Sequence, residues 1–226
     1  MSKGYIEFFS SNPKYRRLWA ASVISLLGEW FNTIALFILI LEYSESQFLL
    51  GILFAVRMFL FGISQPINGL LADRMNRKSL MLWSNILQIG LALSFLFDDG
   101  EEDMWWLISV SGLMMLLHGV YATAERAAVP NIVDDEDLIT ANAIGSASWS
   151  TALCMGAMLG GVVVSQWGTD AAFIIDSFTF LISAVILLPL TIDQKIDDSM
   201  KGPLFRTAVK LSLIHISEPT RLRRIS

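Results

Sequence analysis

Six stretches of about twenty consecutive, nearly uncharged residues divide this chain, and that is the length a helix needs to cross a hydrocarbon layer of about 30 Å. They fall at residues 18–41, 48–71, 79–97, 104–124, 141–164 and 171–190. In lipid, backbone N–H and C=O groups must bond within their own segment, which leaves helices as the form such runs take. The fold class expected is therefore all-α integral membrane, a bundle of six transmembrane helices. The first run holds Glu29 near its middle and is followed by further spans rather than a small-residue cleavage site, so it stays as a helix and is not a signal peptide. Composition agrees, with 54% hydrophobic and only 16% charged residues. Connections at 42–47, 72–78, 98–103, 125–140 and 165–170 leave no room for a soluble domain between spans.

Charge sets direction, because Lys and Arg in short loops resist translocation. Lys3, Lys14, Arg16 and Arg17 precede the first span; Arg74, Arg77 and Lys78 join the second to the third; Arg126 follows the fourth; Lys195, Lys201, Arg206 and Lys210 follow the sixth. The intervening loops hold only acids: Glu42, Glu45, Asp98, Asp99, Glu101, Glu102, Asp103 and Asp170. Alternation at every crossing predicts an even number of spans with both ends in the cytoplasm. The net charge of −5 is thus a gradient across a membrane, and no basic face is available for nucleic acid. One cysteine, Cys154, excludes an internal disulfide and reads as a small core residue. Two histidines, His118 and His215, are too few for a typical zinc site. No cofactor and no paired catalytic constellation is expected, so the chain does not read as an enzyme.

Two charges lie deep in the apolar runs. Glu29 is central in the first, and Arg57 lies about nine residues into the second, which places both at similar depth at a rise of about 1.5 Å per residue. A mid-bilayer charge costs at least roughly 2.5–3.5 kcal/mol, so each needs a partner or a wet cavity. Pairing them with each other is the simplest arrangement, and two readings of the pair stand: Glu29 takes and releases a proton, or the two form a permanent structural ion pair. His118 reads as a packed polar residue, and Asp176 as a snorkelling or capping residue near the outer end of the sixth span. Glu125 and Arg126 end the fourth span at the cytoplasmic surface.

The loop between the second and third spans reads Gly69-Leu-Leu-Ala-Asp73-Arg74-Met-Asn-Arg77-Lys78. This G-x-x-x-D-R-x-x-R-K pattern, in this position, resembles the signature loop of the major facilitator superfamily. Gly69 would let a neighbouring backbone approach the helix end, while Asp73, Arg74 and Arg77 suit charge-assisted hydrogen bonds across an interface. The segments Asn12-Pro13-Lys14-Tyr15-Arg16-Arg17-Leu18-Trp19, Gly28-Glu29-Trp30-Phe31, Arg126-Ala-Ala-Val-Pro-Asn131 and Phe173-Ile-Ile-Asp176-Ser-Phe178 resemble the exporter branch that includes macrolide-efflux and enterobactin-exporting proteins. Gly156-Ala-Met-Leu-Gly160-Gly161 in the fifth span is a small-xxx-small face for close helix packing. It also resembles the glycine-rich antiporter motif of exporters, with Ala157 where that motif commonly has proline.

The resemblance implies the amino-terminal six-helix half of a transporter, built as two inverted three-helix repeats in a bacterial cytoplasmic membrane. It implies alternating access, with proton entry driving export of a small amphipathic drug or siderophore, and with residues 73–78 acting as a latch on a missing carboxy-terminal half. A proton symporter importing a sugar or metabolite, and a non-transporting membrane scaffold, are the alternatives. The divisions expected are a cytoplasmic segment 1–17, the bundle 18–190, and a linker 191–210. Residues 211–226, beginning LSLIHISEPTR, resemble the translation of a sequencing-library adapter and are set aside with His215.

Overall fold

A computed structural model describes residues 4–44, 46–98 and 100–194. The late basic residues Lys195 to Lys210, most of the linker and all of 211–226 lie outside them. The described residues are helical throughout: α1 (Tyr5–Ser11), α2 (Pro13–Ser44), α3 (Gln47–Arg74), α4 (Arg77–Ser94), α5 (Met104–Ala128) and α6 (Leu138–Leu187). Five of these helices are long and apolar enough to cross a membrane.

The helices outrun the apolar stretches that announced them. α2 begins at Pro13, where a ring-fixed φ suits a first helical position, and continues through polar residues to Ser44. Polar flanks beyond the hydrocarbon carry no penalty for staying helical, so apolarity marks the buried middle rather than the ends. α3 and α4 are separated only by Met75 and Asn76, and the Asn76 side chain caps α4 by accepting from the Ser79 amide at 3.0 Å. The predicted loop 125–140 shrinks to short 3₁₀ turns at Val129–Asn131 and Asp135–Asp137.

The largest departure concerns α6. It runs for 50 residues with no loop at 165–170, and a straight helix of that size would be about 75 Å long, more than twice a bilayer core. It is broken at Gly168, where φ 82° and ψ 175° are non-helical and accessible essentially to glycine alone. Contacts show the reversal. Tyr15 donates to the carbonyl of Ala141 at 2.7 Å near the start of α6, and Leu187 near its end packs with Leu18. Both ends of α6 therefore lie beside the start of α2, and its two arms run out and back.

The same contacts sort the charges. Lys14 pairs with Asp193 at 3.0 Å and Arg77 reaches the carbonyl of Ala127, so the start of α2, the α3–α4 turn and the ends of α5 and α6 share one basic end. At the other end Tyr43 donates to Asp98, and Trp105, Trp106 and Trp167 stand exposed there as an interfacial aromatic belt would. Within the bundle α2 packs mainly on α6 and α3 mainly on α5, with α4 bridging α5 and α6. One apolar core, around Leu36, Ile40, Leu107 and Phe173, fills the acidic end, and another, around Leu18, Met81, Ala124 and Leu187, fills the basic end. Between them lies a belt of buried polar residues that includes Asn32, Arg57, Asn85 and Asp176. Phe54, Phe59, Trp83 and Leu87 point outward, as lipid-facing residues do.

Candidate functional site

The polar belt centres on α2. Glu29 is carried on a face that looks toward α3 and α5, and its side chain is only 13% exposed. Its Oε2 lies 2.7 Å from Nδ1 of His118 on α5, and its Oε1 lies 3.6 Å from the guanidinium of Arg57 on α3. Arg57 also donates to Thr33 Oγ1 at 3.0 Å, one turn along α2 from Glu29. Thr33 in turn donates to the carbonyl of Glu29 at 2.8 Å, so its orientation is fixed by the same helix that carries the acid. Phe61 flanks the His118 ring. Three helices thus converge on one carboxylate, with one permanent cation and one imidazole that is cationic when protonated.

This arrangement brings Glu29 and Arg57 together as their depths suggested, but the shorter contact belongs to His118, which the sequence reading left as packing. Asp176 also differs from expectation. It is fully buried, accepts from Asn32 Nδ2 at 2.9 Å, and neither snorkels nor caps. The physical reason is the turn at Gly168: the second arm of α6 starts at the turn itself, so Asp176 lies about two helical turns inside. A signal for it was present in Asn32, an amide in the most apolar part of α2 that required a polar partner.

The glycines separate by position. A Cβ on Gly156 would sit 2.6 Å from Trp30 Cβ, and one on Gly160 3.2 Å from Phe31 Cα, so these two let the first arm of α6 lie against α2. Gly161 meets nothing within 4 Å and is not part of that contact, because it falls on the next helical face. Gly69 likewise has open space around it, so among the described residues no backbone exploits it. Gly28 is the tightest position, with Thr179 and Asp176 packed against it from the second arm. Cys154 is exposed rather than in the core.

At the basic end, Asp73 and Arg77 form an i,i+4 pair at 3.8 Å, with Asp73 half exposed. Arg77 is mostly buried and does more: it donates to the carbonyls of Ala72 at 3.1 Å and Ala127 at 2.7 Å, and to Asn131 Oδ1. Gln194 closes the turn by accepting from the Arg77 amide at 3.0 Å and donating to the carbonyls of Ala72 and Met75. Lys78 reaches the carbonyl of Leu188, and Arg126 bonds back to Ala122 within α5. Arg77 therefore ties together the ends of α3, α5 and α6 inside this bundle. Gln194 was not singled out beforehand, and Asn131 stood only within the resemblance over residues 126–131 and not as a partner of Arg77, since an amide in a loop carries no spacing that marks it.

A helical bundle with an apolar exterior, a charged cluster at its centre and a D-R-x-x-R-K turn at its basic end defines a multi-pass membrane protein of the transporter class. The profile of the Major Facilitator Superfamily matches residues 18–220, and the chain belongs to that family, whose members are transporters rather than enzymes. The matched range overlaps the first part of segment 211–226. The chain is 27% identical over 212 residues to an uncharacterized MFS-type transporter, YfiS, of Bacillus subtilis (strain 168), covering 91% of this chain and 49% of that one. It is 27% identical over 179 residues to a putative bacilysin exporter, BacE, of Bacillus amyloliquefaciens, covering 77% and 44%. Macrolide efflux protein A of Streptococcus pyogenes is 20% identical over 174 residues, covering 76% and 43%. The chain spans about half the length of the curated relatives it matches.

Proposed function

We propose that this chain forms the amino-terminal half of a proton-coupled exporter of small amphipathic compounds, working by alternating access in a bacterial inner membrane. Six spans, with α6 contributing two arms, would form two inverted three-helix repeats, and both ends would face the cytoplasm. The break at Gly168 and the gathering of basic residues at one end favour that topology. Export is favoured over import by the similarity to a putative bacilysin exporter and a macrolide efflux protein.

The observation that carries the reading is Glu29 held between Arg57 and His118 in the middle of an apolar bundle. A carboxylate there is anionic while both neighbours are cationic. Proton arrival at Glu29 would weaken its hold on Arg57 and on α3, converting a chemical event into a change in helix contact. The turn formed by Gly69, Asp73, Arg74, Arg77 and Lys78 would act as the latch to the second half. Residues 191–210 would lead to that half, and 211–226 would be foreign.

The test uses the gene extended past Lys210, expressed in cells stripped of their own exporters. Glu29→Gln should abolish uncoupler-sensitive efflux while leaving membrane insertion normal. Proton-driven efflux that survives this substitution would remove Glu29 from the coupling. Efflux from residues 1–210 alone would overturn the assignment as half of a transporter.

A further inference from the structure

Asp176 and Asn32 present a hydrogen-bond deficit with a specific remedy. Asn32 donates Nδ2 to Asp176 Oδ2 at 2.9 Å, while Asn32 Oδ1 and Asp176 Oδ1 are both buried without a hydrogen-bond partner among the described residues. Each orphan is the remaining polar atom of a group already joined through its other one, the amide oxygen of Asn32 and the second carboxyl oxygen of Asp176. Both are acceptors if Asp176 is ionised, and a buried acceptor left without a donor is destabilising. A single proton on Asp176 Oδ1 converts that atom to a donor, and donation to Asn32 Oδ1 completes a reciprocal acid–amide pair in which both orphans are satisfied.

Other remedies fit less well. Thr179 Oγ1 lies within reach of the Asp176 carboxyl, but its 2.7 Å contact is with the backbone carbonyl of Asp176, and one hydroxyl hydrogen cannot serve both and leaves Asn32 Oδ1 unpaired in either case. Asp176 Oδ1 is buried against Gly28 and away from solvent, a poor place for a hydrated cation. Among the described residues no basic side chain forms an ion pair with it. The charged groups that act on Asp176 are Glu29 on α2 and Arg57 on α3, and Arg57 is engaged with Glu29 and Thr33. On α4 the only charged residues are Arg77 and Lys78 at the first turn, the first arm of α6 has none, and His118 on α5 faces Glu29.

We infer that Asp176 is a second proton-binding site, closed by Asn32 and distinct from Glu29. The bound proton comes from water and converts the carboxylate to the neutral acid, which the closed contact between α2 and the second arm of α6 retains. α2 then lies between two carboxyl groups, Glu29 toward α3 and α5 and Asp176 toward α6. The inference rests on the Asn32 geometry and stands whether or not Glu29 couples transport.

The experiment is infrared spectroscopy of the full 226-residue chain in lipid nanodiscs at neutral pH, with and without exchange into D₂O. The expected result is a protonated-carboxyl C=O band that Asp176→Asn removes and Glu29→Gln retains. Asn32→Leu should shift that band to higher frequency by removing its hydrogen bond, a change that a merely structural role for Asn32 would not produce. Asp176→Asn should keep the wild-type Tm, since an amide can re-form the reciprocal pair. If Asp176→Asn fails to fold, Asp176→Glu gives the second readout, with the band expected to move rather than vanish. Absence of the band, its persistence in Asp176→Asn, its replacement by sodium at constant pH, or a band unmoved in Asp176→Glu would each overturn the inference.

Discussion

The contact between α2 and the first arm of α6 offers a graded test, because three neighbouring glycines differ only in what a methyl group would meet. On Gly156 the added carbon lies 2.6 Å from Trp30 Cβ and 3.4 Å from the Leu27 carbonyl oxygen. Trp30 Cβ is fixed to the backbone and cannot rotate away, so the helices must separate or bend. On Gly160 the nearest atoms are Phe31 Cα at 3.2 Å and Ile34 Cβ at 3.4 Å, a tight fit that a few tenths of an ångström relieves. On Gly161 nothing lies within 4 Å. All three substitutions gain the same helix propensity, up to about 1 kcal/mol for Ala over Gly. Overpacking costs about 1–3 kcal/mol, and Gly156→Ala belongs at the upper end because its obstacle is rigid. The order of stability should therefore be Gly161→Ala at or above wild type, then Gly160→Ala, then Gly156→Ala. Reversible unfolding in mixed micelles, titrated with denaturing detergent and followed by circular dichroism, reads the differences. A gap below about 0.5 kcal/mol between Gly161→Ala and Gly156→Ala would refute the close approach, since that is the scatter of substitutions with no neighbour.

Gly168→Ala tests the backbone alone, since space around it is open while φ 82° with ψ 175° excludes a side chain. It should destabilise by about 1–3 kcal/mol in the same assay, and a neutral result would mean the reversal does not need that conformation. Arg57→Met should cost about 3–5 kcal/mol by stranding Glu29, and adding Glu29→Gln should recover part of that loss; additive losses would deny the pairing. Arg77→Lys loses the fork whose Nε reaches Ala72, whose Nη1 reaches Ala127 and Asn131 and whose Nη2 faces Asp73, and should cost about 1–3 kcal/mol. Faster hydrogen exchange at the α3–α4 turn would report it, and unchanged protection would show that the fork is not what holds the turn.

What could be read from the sequence divides along physical lines. That the chain is a bundle of long apolar helices was legible because desolvation acts on every residue of a run, so twenty weak signals add. The helix ends were not, because a polar flank is equally content as helix or loop, and α2 continues to Ser44 through residues that no hydropathy rule would include. Glu29 and Arg57 were legible as a pair because a charge in hydrocarbon demands a partner and depth restricts the choice. His118 and Asp176 escaped because a neutral imidazole makes no such demand, and because the depth of Asp176 depends on a turn made by the single residue Gly168. The D-R-x-x-R-K turn was legible as a motif, but its partners Asn131 and Gln194 come from segments brought near only by folding.

The two helix pairings give the charged cluster its mechanical meaning. α2 is locked to both arms of α6 by contacts with no slack, through Gly156 and Gly160 on one arm and through Gly28 against Asp176 and Thr179 on the other. α3 is packed chiefly on α5 and has few contacts with α2. The seam between these pairs is spanned by α4, which packs on both α5 and α6, and at mid-depth by Glu29 reaching across to Arg57 and His118, with Arg57 also held by Thr33. An interaction placed at a seam is worth more to motion than the same interaction inside a packed pair, because close-packed contacts change only by separating, whereas an ion pair changes when one proton moves. Under the proposed coupling, neutralising Glu29 would loosen the seam and leave each pair intact, so the pairs would shift as units. Asn32, one turn from Glu29 on the same helix, links that event to the opposite side, where Asp176 holds α2 to the second arm. A proton leaving Asp176 would strand two buried acceptors in the tightest contact of the bundle, so the helix pair most in need of rigidity is the one whose acid is best kept neutral.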